Sequence, residues 1–114
     1  MIVLSIGLLI GLLSSCSKVE LPGGTPECIE QLTKELRNEE VRNPPSSITR
    51  YTWDGEYFYY VPSECCDAFS SLYDSDCNYI CAPDGGFAGV GDGNCPEFWA
   101  DKEDSVIIWE DDRE

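Results

Sequence analysis

Apolar and polar residues change their spacing several times along this chain. From Ile2 to Leu13 the run Ile2, Val3, Leu4, Ile6, Leu8, Leu9, Ile10, Leu12, Leu13 is almost unbroken. It is shorter than the roughly 20 residues that cross a bilayer and matches the apolar core of a secretory signal. Ser17 to Gly24 carries no apolar period and holds Pro22, Gly23 and Gly24, as a tether would. Cys28, Ile29, Leu32 and Leu36 then recur at helical spacing opposite Glu30, Lys34, Glu35, Arg37 and Glu39. This predicts an amphipathic helix with Thr25 as N-cap and Pro26 at its first position, ending near Asn43 because Pro44-Pro45 cannot continue it.

At Ile48 the period becomes two. Asp54-Gly55 is a strong hairpin turn signal, and a two-residue loop pairs Trp53 with Glu56, Tyr51 with Phe58 and Thr49 with Tyr60. Tyr51, Trp53, Phe58 and Tyr60 share one face, which is expected to pack beneath the helix. Ile48, Arg50, Tyr57, Tyr59 and Val61 share the other, with Arg50 placed for a cation–π contact with Tyr57 or Tyr59. Arg50, Tyr57 and Tyr59 are thus a candidate binding surface, unless a second layer covers them. Ser63 is placed to cap a short helix over 64–73, with Cys65, Phe69 and Leu72 on one side. Asn78 to Cys81 reads as a brief strand, residues 83–96 as a Gly-rich irregular loop, Ser105 to Trp109 as a last strand, and 110–114 as a frayed acidic tail. The sum is an α+β domain: a small antiparallel sheet (hairpin plus C-terminal strand) packed by one main N-terminal helix, stapled by disulfides and carrying a Gly-rich loop.

The chain has 114 residues and seven cysteines. A domain this small has a marginal core and needs staples. Leu13-Ser14-Ser15-Cys16 resembles a bacterial lipobox, in which the cysteine is lipidated and becomes the first mature residue. Met1-Ile2-Val3 lacks the positive charge that opens a signal, as expected if translation starts further upstream. The organisation read from this is a signal peptide over 1–15, a lipidated cysteine and tether over 16–25, and one domain over 26–114, exported and anchored to a membrane of the bacterial envelope. Cys28, Cys65, Cys66, Cys77, Cys81 and Cys95 remain, an even set in an exported chain, and read as a disulfide framework. A direct Cys65–Cys66 bridge would be strained; beyond that the pairing is open. Cys81 and Cys95 bracket the Gly-rich loop, and Cys28 lies on the buried side of the helix, where it can cross-link it to the rest.

Several motifs together resemble a family. In the first half they are Cys28-Ile29, Asn43-Pro44-Pro45, Tyr51-x-Trp53-x-Gly55 and Tyr59-Tyr60-Val61-Pro62. In the second they are Cys65-Cys66-Asp67, Leu72-Tyr73-Asp74, Asn78-x-Ile80-Cys81-x-Pro83-Asp84-Gly85-Gly86 and Gly91-Asp92-Gly93-x-Cys95-Pro96-x-Phe98. The pattern is similar to small bacterial envelope lipoproteins that carry a cysteine-rich domain of unknown function, over most of the chain from Pro26 to about Trp109. The resemblance implies export, one domain and a cysteine framework, and no activity.

Formal net charge is −15, from 22 acidic and seven basic residues, which argues against nucleic acid as a partner. Histidine is absent, which removes the commonest general base and the Ser-His and Cys-His nucleophile systems; an enzyme is the least expected class. Asp74, Asp76 and Asn78 have the opening spacing of a calcium loop, but Tyr79 and Gly85 stand where an EF-hand needs glycine and glutamate. A looser calcium site from Asp74, Asp76 and Asn78 with Asp84 or Asp92 is the metal chemistry the pattern offers; ordinary turns are the simpler account of the same residues. No other cofactor is expected. The leading expectation is a non-catalytic, lipid-anchored envelope module that binds a protein or glycan partner or simply occupies the surface. A small protease inhibitor using loop 83–94 is the alternative from another class, and calcium-dependent binding a third.

Overall fold

The computed structural model describes residues 20–65 and 67–113. The segment 1–15 expected as a signal peptide, Cys16 expected as the lipidation site, and Cys66 lie outside the described residues. The helix is α1, Glu27–Arg37, with Glu27 and Glu30 in its first turn and Lys34 and Arg37 in its last, complementing the helix dipole. Its start differs from expectation: Thr25 Oγ1 donates to the Pro22 carbonyl at 2.7 Å, and Pro26 occupies the cap position. Its end comes earlier, because positions 39, 40 and 43, where the stripe through Leu32 and Leu36 would continue, are Glu39, Glu40 and Asn43.

Strands β1 (Ser47–Trp53) and β2 (Glu56–Val61) form the predicted hairpin in the predicted register, with Thr49 opposite Tyr60, Tyr51 opposite Phe58 and Trp53 opposite Glu56. Asp54 and Gly55 have φ of 54° and 78°, the positive pair a two-residue turn of this hand requires. The sheet goes beyond the predicted hairpin and C-terminal strand, and the brief strand expected over 78–81 is part of it as β4 (Tyr79–Cys81). β3 (Ser71–Tyr73) and β4 extend it past β2, and β5 (Glu103–Glu110) lies along β1, giving the antiparallel order β4-β3-β2-β1-β5. The helix expected over 64–73 is therefore not formed. The chain turns instead, with Ala68 N donating to Cys65 O at 2.9 Å, and enters β3. Pairing β3 satisfies the outer edge of β2, which a helix there would leave open. A four-residue helix that the sequence pattern missed, α2 (Phe98–Asp101), precedes β5.

Both faces of the hairpin are covered, by different elements. Ile48, Tyr59 and Val61 join Ile108 and Trp109 of β5 beneath Ile29 and Leu36 of α1. Tyr51, Trp53, Phe58 and Tyr60 pack instead against Leu72, Cys81, Cys95 and Phe98. The main helix thus lies on the face opposite to the one expected. Strand alternation cannot rank two apolar faces, and the choice is made elsewhere: Tyr73 stands opposite Tyr59, and Cys77 just beyond it is bonded to Cys28 of α1. On the other face the Phe98 ring meets Tyr51 and Trp53 edge-on, each at 5.3 Å.

The disulfides are Cys28–Cys77 and Cys81–Cys95, each with Cα atoms 6.1 Å apart, and Cys65 is also disulfide-bonded. Such bonds persist in oxidising compartments, so they mark an exported or extracellular protein. Among the described residues no helix is long and apolar enough to cross a membrane. The C-terminal tail is docked rather than frayed. Asp111 N donates to Ser46 O at 2.8 Å, and the buried Asp111 carboxylate accepts Arg113 Nη2 at 2.7 Å, while Arg113 also donates to Glu39 O at 3.0 Å.

Three outcomes follow for stability. Phe98→Ala should cost about 3–5 kcal/mol, because it empties the centre of the aromatic layer; a urea midpoint within error of the parent would refute that role. On loop entropy, replacing Cys81 and Cys95 together by serine should cost about 3 kcal/mol, and Cys28 with Cys77 about 4 kcal/mol, measured under the same denaturant. Acid should destabilise the fold through Asp111, whose carboxyl is held below its usual range by the Arg113 side chain, against the opposing effect of desolvation. A depressed folded pKa gives stability that is present above the unfolded value near 3.8 and lost as pH falls through the folded one. Asp111→Asn should therefore lower the melting temperature at pH 7 and have less effect at pH 2; an equal effect at both would exclude the ion pair as the source.

Candidate functional site

The Gly-rich segment is ordered by backbone bonds at both ends. Cys81–Cys95 closes it covalently. Within it Asp92 N donates to Ala82 O at 3.0 Å, Gly91 N to Gly85 O at 3.0 Å, and Gly86 N to Ala68 O at 3.1 Å. Gly85 bridges to Phe69 on one side and Val90 on the other. Such close backbone approach needs glycine: at Gly91 (φ 82°) an added Cβ would collide with the Ala82 carbonyl, and at Gly86 (φ 81°) with the Phe69 ring. The segment is also tied to the sheet. Tyr60 Oη donates to both oxygens of Asp84 at 2.9 and 3.0 Å, Ser70 N and Oγ donate to Asp84 O at 3.1 and 3.0 Å, and Trp99 Nε1 donates to Pro83 O at 3.0 Å. Burial first, then the bond to Asp84, pushes the Tyr60 hydroxyl far above its usual range. It stays a donor at any physiological pH.

This frame holds Phe87 into solvent. Gly89 N donates to Gly86 O at 3.1 Å, closing a turn with Phe87 and Ala88 at its tip. Phe87 is 94% exposed, and around the same loop Val90 is 73% and Phe69 54% exposed. A large apolar side chain this exposed, on a loop this constrained, is the feature that points most directly to recognition of a partner. The hydrophobic pattern gave it no weight, because Phe87 has no periodic neighbours. The available signal was its isolation among Gly85, Gly86 and Gly89.

The predicted surface residues divide. Arg50 does stack on Tyr57, its Cζ 4.3 Å from the ring centroid, and Tyr57 is 48% exposed. Tyr59 is 1% exposed and belongs to the core under α1, so it is not part of a surface. Its position between Arg50 and Tyr73 in the ladder buries it on the helix side. A shallow groove of about 260 Å³ opens on that side between Cys28, Leu32, Glu35, Tyr73 and Cys77.

The five calcium candidates are not brought together as one ligand set. Asp74 Oδ1 accepts the backbone N–H groups of Asp76 and Asn78, both at 2.9 Å, and Oδ2 accepts Asn78 Nδ2 at 3.1 Å. Desolvation pushes this carboxyl up, but those donors outweigh it and hold it below its usual range. Asp92 closes a second turn by accepting Asn94 N and Ala82 N, both at 3.0 Å, with Tyr79 Oη at 3.4 Å. The Asn94 N–H is the chief cause of its lowered pKa. Asp84 is engaged by Tyr60. Among the described residues no three His, Cys, Asp or Glu side chains are grouped so as to hold a metal ion. The Asp-x-Asp-x-Asn spacing serves a turn, because the Asp74 carboxylate finds backbone donors two and four residues away.

None of the curated proteins and none of the solved structures matches the chain. A family model does match, from residue 34 to residue 111, taking in the end of α1, the whole sheet, the stapled loop and α2. The chain therefore belongs to the family described as a domain of unknown function, DUF6970.

Proposed function

We propose that this protein is a non-catalytic module of the bacterial cell envelope, held to a membrane by lipid on Cys16, that binds a protein or glycan partner. The observation that carries the reading is the stapled loop: a rigid frame whose tip side chain, Phe87, is 94% exposed. Ordering the loop before binding removes an entropic cost that a flexible loop would meet on association. The anchor rests on Leu13-Ser14-Ser15-Cys16 following an apolar run, and on the disulfides that accord with an exported chain. The segment 17–24 then serves as tether between lipid and domain. The protease-inhibitor reading fits the same loop less well, since a protease cleft takes an extended segment and residues 86–89 are folded into a turn.

Three measurements test this. Mass spectrometry of the membrane-derived chain should find an N-terminal Cys16 carrying lipid, and Cys16→Ser should move the protein to the soluble fraction. An unmodified N-terminus at Ser17 or Lys18 would overturn the anchor. Chemical cross-linking in intact cells, followed by capture of the full chain, should give discrete adducts of defined mass. Recovery of the uncoupled chain alone would overturn the binding role.

A further inference from the structure

The charges of this protein are segregated. Between Arg50 and Lys102 the sequence holds ten Asp and Glu residues and no Lys or Arg. That interval forms β2, β3, β4, the Gly-rich loop and α2. Basic residues sit elsewhere and are mostly engaged at home. Arg42 pairs with Glu39 at 2.7 Å and reaches Glu64, before β3, at 3.9 Å, Arg113 pairs with Asp111 at 2.7 Å and Arg37 with Asp112 at 3.8 Å, while Lys102 lies 5.3 Å over the Tyr51 ring and 5.8 Å over the Trp99 ring. The part of the molecule containing β3, β4 and the loop therefore has carboxylates with no cation of its own to offset them.

The most exposed apolar side chains on the same part are Phe87, Val90, Phe69 and Tyr79. They are close-set. Gly85 bridges Phe69 to Val90, the Phe69 ring covers Gly86, and Tyr79 Oη reaches Asp92 of the same loop. An apolar knob in an acidic field discriminates between classes of partner. Anionic lipid, anionic glycan and a second copy of this chain would each bring like charge against it, and like charges across an interface oppose association.

We propose that the end of the molecule built from β3, β4 and residues 83–94 docks on a protein that presents a Lys- and Arg-rich surface with an apolar recess for Phe87. This rests on the binding role proposed above and names the partner's chemistry. Steering by the acidic field makes the association salt-sensitive, while burial of Phe87 gives it a fixed position.

The test is photo-cross-linking of the full, membrane-anchored chain. A benzophenone amino acid replaces Phe87, and separately Tyr57 or Ile107, two exposed residues outside the loop. From position 87 the expected product is a single heterologous protein adduct, whose cross-linked peptide comes from a surface where Lys and Arg outnumber Asp and Glu. Its yield in isolated membranes should fall at least fivefold between 50 and 500 mM salt. Adducts to lipid, to glycan, to a second copy or to an acidic surface would each overturn the assignment, as would a yield indifferent to salt. Adducts from Tyr57 or Ile107 with none from position 87 would overturn this docking surface and leave the binding role standing. No adduct from any of the three positions would remove both. A melting temperature for each labelled chain within about 2 °C of the parent, about the shift of a fraction of a kcal/mol for a domain this size, shows that the fold is intact.

Discussion

The β1–β2 hairpin is apolar on both faces, and the chain has too little regular structure to cover both in the usual way. One helix of 11 residues serves the Ile48, Tyr59 and Val61 side. Among the described residues, the Tyr51, Trp53, Phe58 and Tyr60 side has the four residues of α2, Leu72 of β3, the end of β4 and a glycine-rich loop. A loop is a poor cover, because its backbone costs entropy to order and brings few apolar atoms. The second layer holds because the Cys81–Cys95 bond closes the loop while Tyr60, Ser70 and Trp99 pin Pro83 and Asp84 to the sheet. The covalent staple and these polar pins substitute for the second helix that a longer domain would place there.

That solution has a consequence for function. A loop made rigid in order to close a core is also rigid on its outer side. Residues that cannot turn inward, Phe87 above all, are held in solvent at fixed positions. The same glycines that allow backbone to approach Ala82 and Phe69 leave no side chains to screen that tip. Structural economy on the inside and presentation on the outside are thus two sides of one segment.

Electrostatics follows the same division. Carboxylates near the turns are spent locally: Asp74 and Asp92 accept nearby N–H groups, Asp84 accepts Tyr60, and Asp111 accepts Arg113. Cations lie on α1, at Arg42 and Arg50, and on either side of β5 at Lys102 and Arg113, so the acidic excess is greatest between Arg50 and Lys102. A spacing that resembles the opening of a metal loop in the sequence forms, in three dimensions, an Asx turn on Asp74.

Local signals were legible where one short stretch carries its own chemistry. Asp54-Gly55 determined both turn and register, because only residues tolerating positive φ fit there. Helical spacing at 28–36 located α1, and the even set of six cysteines after Cys16, in a chain opening with an apolar run, announced staples. What the tertiary structure decided depends on distant partners. The face taken by α1 was settled by Cys77, 49 residues from Cys28. Residues 71–73 became a strand because β2 had an open edge, whatever their own helical spacing suggested. The tail was fixed by a Ser46 carbonyl and an Arg113–Glu39 contact that no local pattern encodes. Periodicity reports how a segment can bury itself; which neighbour it meets is a property of the closed chain, and that determined both the covered faces and the side chain left exposed.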